Sequence, residues 1–236
     1  MNRIVRITGL LVVPMLAAMS AQAQVSFGPR IGLNLSNTNY DYSDVDFKDK
    51  PVSNLLPGAQ IGLALNAQFG KLALQPALLF SMKGNTSKVD VATSSSTYKA
   101  KSSVRLNYAE LPLNLVYSLK GADGGFQVFV GPYVALGLNG KVKVEEVETQ
   151  NGVIQRDDWE PEIVFASEAG SDLNKAYVRS LDYGLNAGVG YKVDAIQVQV
   201  GYGLGLANRV PKYEGERPDI KVHNGNFQLA LTYLFE

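Results

Sequence analysis

Hydrolysis or acyl transfer needs a base held against a nucleophile, and this chain has one histidine to serve as that base. His223 stands in KVHNGNF, with serines and aspartates plentiful in the segments around it. A single histidine beside a turn is more often a surface residue, so no catalytic residue is assigned. DYSDVDFKDK gathers Asp41, Asp44, Asp46 and Asp49. Carboxylates at that density can hold a divalent cation, but the spacing is not that of the helix–loop–helix calcium motif. A solvated acidic loop explains the run, and no metal is assigned. The glycines recur at strand spacing and make no phosphate cradle, so no cofactor is expected. That leaves Arg30, Lys83, Glu110 and Asp182, accompanied by Gln60, Gln75 and Asn186. Each sits inside an otherwise apolar segment, and the element that carries it decides what it can do.

Those segments alternate with a period of two, the strand period. Eight stand out: Val25–Ser36, Leu56–Phe69, Leu72–Lys83, Val104–Ser118, Phe126–Asn139, Leu181–Tyr191, Ile196–Leu206 and Asn226–Phe235. Every one divides in the same way. Ile196, Val198, Val200, Tyr202 and Leu204 oppose Gln197, Gln199, Gly201, Gly203 and Gly205. One face is a continuous apolar band; the other is glycine, amide and a few charges.

A soluble sandwich would turn the apolar band inward. Two features favour the opposite. Connections alternate short and long: tight turns at Gly70-Lys71, Lys120–Gly125 and Val193-Asp194, long stretches elsewhere. Outer-membrane barrels have short periplasmic turns and longer outer loops. Aromatics also cluster at the segment ends with apolar-face parity. Phe27, Phe69, Tyr117, Phe126, Tyr191, Tyr233 and Phe235 lie toward the short turns, and Phe80, Tyr183 and Phe227 toward the long loops. Aromatic rings favour headgroup level, so these residues read as two girdles. About ten residues at ~3.3 Å, tilted ~40°, span roughly 25 Å of lipid. The expected fold is therefore all-β: an eight-stranded antiparallel up-and-down transmembrane β-barrel.

Strands in hydrocarbon must close, because an open edge would leave backbone groups unpaired. Eight strands leave an interior only wide enough for side chains. The charged and amide residues named above, with Asn34, Asn114, Gln197 and Gln199, are expected to fill it and pair there. Two features strain this pattern. Pro29, Pro76, Pro112 and Pro132 each remove a ladder donor, which calls for bulges or local gaps. Leu106 and Tyr108 break the apolar parity of Leu111, Leu113 and Leu115, which calls for a bulge in that segment.

The start, MNRIVRITGLLVVPMLAAMSAQAQ, reads as a secretory signal peptide over residues 1–23. Arg3 and Arg6 precede an apolar core, and Ala21-Gln22-Ala23 is a small-x-small cleavage site. Residues 24–236 then form the barrel domain, placed in the outer membrane of a Gram-negative cell. The chain has 236 residues, no cysteine and a formal net charge of zero. Disulfides are thereby excluded, and nothing suggests a nucleic-acid partner.

FGPRIGLNLS, GAQIGLALN, LALQPALLFSMKG, LNYAELPLNLVY, VFVGPYVALGL, DYGLNAGVGY, VQVGYGLGL and FQLALTYLF follow in order along nearly all of the mature chain. Together they resemble the PorT-like outer-membrane β-barrel proteins typical of Bacteroidota. The resemblance implies the same architecture and location, and the strand prolines fall inside the matching pieces. The final strand is similar to the signal read by the barrel-insertion machinery, although Glu236 follows the aromatic Phe235.

The long loops show partial alternation in SKVDVATSSSTYKAKSSVRL and a two-residue hairpin signal at Asn151-Gly152, so strands three to six are expected to project beyond the membrane. Trp159, the one tryptophan, lies in that projection as a candidate partner contact. The expected function is non-enzymatic: a plugged structural or docking barrel in contact with outer-membrane lipid, whose loops meet a secretion or surface protein. The competing readings are a narrow passive pore, a lipid-modifying enzyme at the outer rim, and a soluble extracytoplasmic sandwich.

Overall fold

Alternating segments pair edge to edge until no edge remains. The computed structural model describes residues 24–41, 52–92, 96–150, 153–172, 174–216 and 219–235. Residues 1–23, expected to be a signal peptide, together with Asp44, Asp46, Asp49 and the Asn151-Gly152 pair, lie outside the described residues. The strands are β1 (Gln24–Asp41), β2 (Val52–Asn54), β3 (Leu56–Phe69), β4 (Leu72–Ala92), β5 (Ser96–Ser118), β6 (Gly125–Gln150), β7 (Val153–Trp159), β8 (Glu162–Phe165), β9 (Lys175–Val178), β10 (Leu181–Val193), β11 (Ile196–Gly205) and β12 (Lys221–Tyr233). Eight of them form a ring in the order β1, β3, β4, β5, β6, β10, β11, β12, and β12 closes antiparallel on β1.

The ring has its greasy side out. Leu33, Leu63, Leu78 and Val130 are exposed, whereas Asn34, Ser81, Asp182 and Thr232 are buried. At one end of the ring, tight turns join β3 to β4 and β10 to β11. Gly70 takes the left-handed φ of 59° that the β3–β4 turn requires, and Asp194 takes 49° between β10 and β11. At the other end β4, β5 and β6 run well past the expected strand ends. The β4–β5 ladder continues to Ala92↔Thr97, and β5–β6 to Ser96↔Gln150. Above the apolar band, β7 pairs back on β6, and β8 lies parallel to β9.

Ladder pairing lapses beside each strand proline without a register slip. On β3–β4 it skips from Ala64↔Ala77 to Ala67↔Leu74, past Pro76. On β5–β6 it skips from Pro112↔Tyr133 to Leu115↔Val130, past Pro132. Beside Pro29, β1 meets β12 again only at the Phe27↔Phe235 bridge. A closed barrel thus accommodates proline by leaving a local gap.

The bulge expected in the segment of Leu106 and Tyr108 is on the other strand. β5 keeps its alternation, and both residues are fully buried inside the barrel. The extra residue belongs to β6. Asn107 pairs with Asn139 and Tyr108 with Gly137, which leaves Leu138 between. Past that point β6 changes parity, so Asn139 faces out rather than in.

Candidate functional site: a polar lumen beneath a capped rim

The inward residues meet in stacked layers. Toward the tight turns, Gln197 Nε2 donates to Gln127 Oε1 at 2.6 Å, and Gln127 Nε2 to Ser118 Oγ at 2.8 Å. Gln75 donates to Asn66 at 2.7 Å and accepts from Gln199 at 3.3 Å. Arg30, from β1, donates to Gln199 Oε1 at 2.6 Å. Asn186 accepts from Gln228 at 3.4 Å. Gln60 is buried in the same layer, with no hydrogen-bond partner among the described residues.

Next comes a charged layer. Lys83 Nζ lies 2.8 Å from Glu110 Oε2 and 3.7 Å from Asp182 Oδ2. Its ammonium also sits 4.3 Å from the Tyr133 ring centroid and 5.7 Å from that of Tyr108, a distance at which cation–π attraction contributes. Asp182 Oδ2 accepts from Asn224 Nδ2 at 2.8 Å and from the Tyr133 hydroxyl at 3.3 Å. β4, β5 and β10 therefore bring Lys83, Glu110 and Asp182 together, while Arg30 stands one layer away. Charges this far from water need opposite partners and hydrogen bonds, and the cluster supplies both.

Sequence reasoning passed over several residues here. Phe129 and Tyr133 are buried with the inward parity of Gln127 and Gly131, so parity alone would have found them. Arg209 carried no such signal. It follows β11, outside any period-two segment, yet it is buried and donates to Asn224 Oδ1.

A lid of loop closes the mouth above. Ile163 and Phe165 of β8 and Val178 of β9 pack on Leu106, Tyr108, Tyr133 and Ala135. A β-carbon at Gly137 would collide with the Phe165 ring, so glycine makes the seat for it. The lid is tied across the mouth by backbone bonds: Arg179 N to Arg209 O at 2.9 Å, Ala169 N to Lys212 O at 2.7 Å, and Arg209 N to Val222 O at 2.9 Å. Below Phe165, buried side chains line the lumen from the lid to the glutamine layer.

His223 lies at this rim with Nδ1 3.1 Å from the Ala207 carbonyl oxygen. The imidazole's described contact is thus with backbone, not with a hydroxyl. Trp159 ends β7 across from Val144 and is 46% exposed. On the outer wall, the aromatics near the tight turns include Tyr117, Phe126 and Tyr191, with Phe69 half-buried. Phe27, Tyr233 and Phe235 form a chain there, with centroids 6.1 Å apart for Phe27–Phe235 and 4.8 Å for Tyr233–Phe235. Toward the long loops lie Phe80, Tyr183 and Phe227, the last 4.7 Å from Tyr202. Among the described residues no three histidine, aspartate or glutamate side chains converge as a metal site.

Residues 20–209 match the family model described as outer membrane protein beta-barrel domain. Among solved structures, the chain is similar to Neisserial surface protein A (12% identity, TM-score 0.40). It is also similar to Ail, the attachment invasion locus protein of Yersinia pestis (11% identity, TM-score 0.36). In both cases 90% of this chain and 99% of the other are covered. No curated protein matches the chain.

Proposed function

The chain belongs to the outer membrane protein beta-barrel domain family, and from that premise we propose a non-enzymatic barrel that docks envelope or secretion partners on its projecting hairpins. The mature domain is residues 24–236, released by cleavage near Ala23 and inserted by the barrel machinery through its last strand. Within the family we place it with the PorT-like proteins, on the sequence pieces that resemble them.

One observation carries this reading. The lumen holds the Lys83–Glu110–Asp182 cluster and is capped by Phe165, whereas β4, β5, β6 and β7 continue above the apolar band. A transport role would spend its structure on a wetted path. Here the extra structure is paired strands, with exposed Trp159 at the membrane-proximal end of β7, the kind of aromatic that anchors an interface.

Photo-crosslinking in intact cells tests it, with a photoreactive residue in place of Trp159 and a control at the tight-turn Lys71. Discrete protein adducts at 159 and none of the same mass at 71 support docking. The absence of adducts at both, together with stable unit conductance in planar bilayers, would favour the narrow pore instead.

A further inference from the structure

Arg105 on β5 stands directly across the ladder from Lys141 on β6, both facing outward and exposed. Like charges opposite one another destabilise a strand pair. Neither residue makes an ion pair among the described residues. Glu162 of β8 stands across β6 from Lys141 but bridges to neither cation, and the nearest acid up the β5–β6 ladder, Glu145, is already shared between Lys143 at 2.7 Å and Lys101 at 3.5 Å. Ser103, Lys143 and Glu160 complete the groove around the pair, and Glu160 bridges to neither cation.

The height of the pair on the wall identifies its ligand. One rung below, Asn107 Nδ2 donates to Asn139 Oδ1 at 2.6 Å. Below that, Leu111, Leu136 and Leu138 are exposed and begin the apolar band. From Tyr117 at the far rim to Arg105 is about twelve residues, which at ~3.3 Å and ~40° tilt rise roughly 30 Å. The band itself needs about 25 Å. On β5 and β6, Arg105 and Lys141 are therefore the first outward charges above hydrocarbon, at the level of lipid phosphates. The opposite wall at this height offers Asn37, Asn39 and Gly225, so the feature belongs to one side.

We propose that Arg105 and Lys141, with Ser103, bind the phosphate of an outer-leaflet lipid headgroup. The guanidinium can take two phosphate oxygens at once, and the ammonium opposite supplies the second charge. A phosphate between them turns a repulsive rung into an attractive one. The inference stands on membrane embedding and not on the docking reading, since rim crosslinks at Trp159 do not depend on it.

The test uses the full barrel in phosphatidylcholine vesicles. Spin-labelled phosphatidic acid and spin-labelled diacylglycerol of the same chains are compared by the fraction held at the protein. Wild type is expected to favour phosphatidic acid, and Arg105→Gln with Lys141→Gln to lose about tenfold of that preference. Lys141→Arg should keep it, and Lys141→Gln alone should lose part of it, which covers the case of a double variant that does not fold. Millimolar inorganic phosphate should not displace the lipid. Equal retention of the two probes, an unchanged preference in Lys141→Gln, or full displacement by free phosphate would each overturn the proposal.

Discussion

Lys83 Nζ lies 2.8 Å from Glu110 Oε2, with 2% and 1% of the two side chains exposed. A cation from β4 and an anion from β5 thus neutralise each other inside a ring whose outer surface is hydrocarbon-like. Asp182 adds a second anion at 3.7 Å, and Arg30 a second cation one layer away.

Removing one member of the pair should hurt more than removing both. Glu110→Ala is expected to destabilise the barrel by about 3–5 kcal/mol, since the Lys83 charge would keep only Asp182. Lys83→Met combined with Glu110→Leu should recover much of that loss. Urea unfolding in detergent micelles, followed by heat-modifiable gel mobility, gives both numbers.

The lid is held by apolar packing over the same cluster. Leu106→Ala removes a fully buried side chain beneath Ile163 and Phe165, and about 2–5 kcal/mol should be lost. Hydrogen exchange should quicken in β8 and β9 before it does in β10 and β11. Uniform exchange across all strands would show that the lid is not a separate layer.

Charge on the outer wall should be punished by depth. Val200→Arg, midway up β11, is expected to cost about 2–4 kcal/mol, and the same change at Leu206 near the rim about 0–1 kcal/mol. Refolding into lipid vesicles over a urea series measures the gradient.

Above the membrane, the Glu145 carboxylate is held below its usual range by the hydrogen bond from Lys143, then by the charge of Lys101 and Lys143. A depressed carboxylate contributes stability above its unfolded value of about 4.3, and that contribution fades as pH falls through the folded value. Carbon-detected titration should show Glu145 moving up toward the ordinary range in Lys143→Gln. An unchanged midpoint would remove Lys143 as the cause.

Much of this was legible because lipid imposes a strict rule: every second residue of a spanning strand must be apolar. That rule locates all the barrel strands from Leu33, Leu63, Val198 and their neighbours, and it places Lys83, Glu110 and Asp182 on the inner face. It fails where lipid no longer acts. β4, β5 and β6 continue above the band, where polar and apolar residues mix, so partial alternation announces their projection without marking where each strand ends. Leu106 and Tyr108 are apolar yet inward, because they pack under the lid. The rule reads them as a slip on β5, whereas the slip is at Leu138 of β6. Arg209 and the parallel pairing of Glu162–Phe165 with Lys175–Val178 depend on contacts between distant loops, for which no local pattern exists.

Spin labels scanned along one strand test the central claim most directly. Positions Val198 and Val200 on β11 face out, and Gln197 and Gln199 between them face the polar lumen. The account predicts high oxygen accessibility and motion at 198 and 200, and immobile labels shielded from both oxygen and polar relaxers at 197 and 199. Water-accessible labels at 197 and 199, with packed, oxygen-shielded labels at 198 and 200, would mean that the apolar face is a protein core and would contradict it.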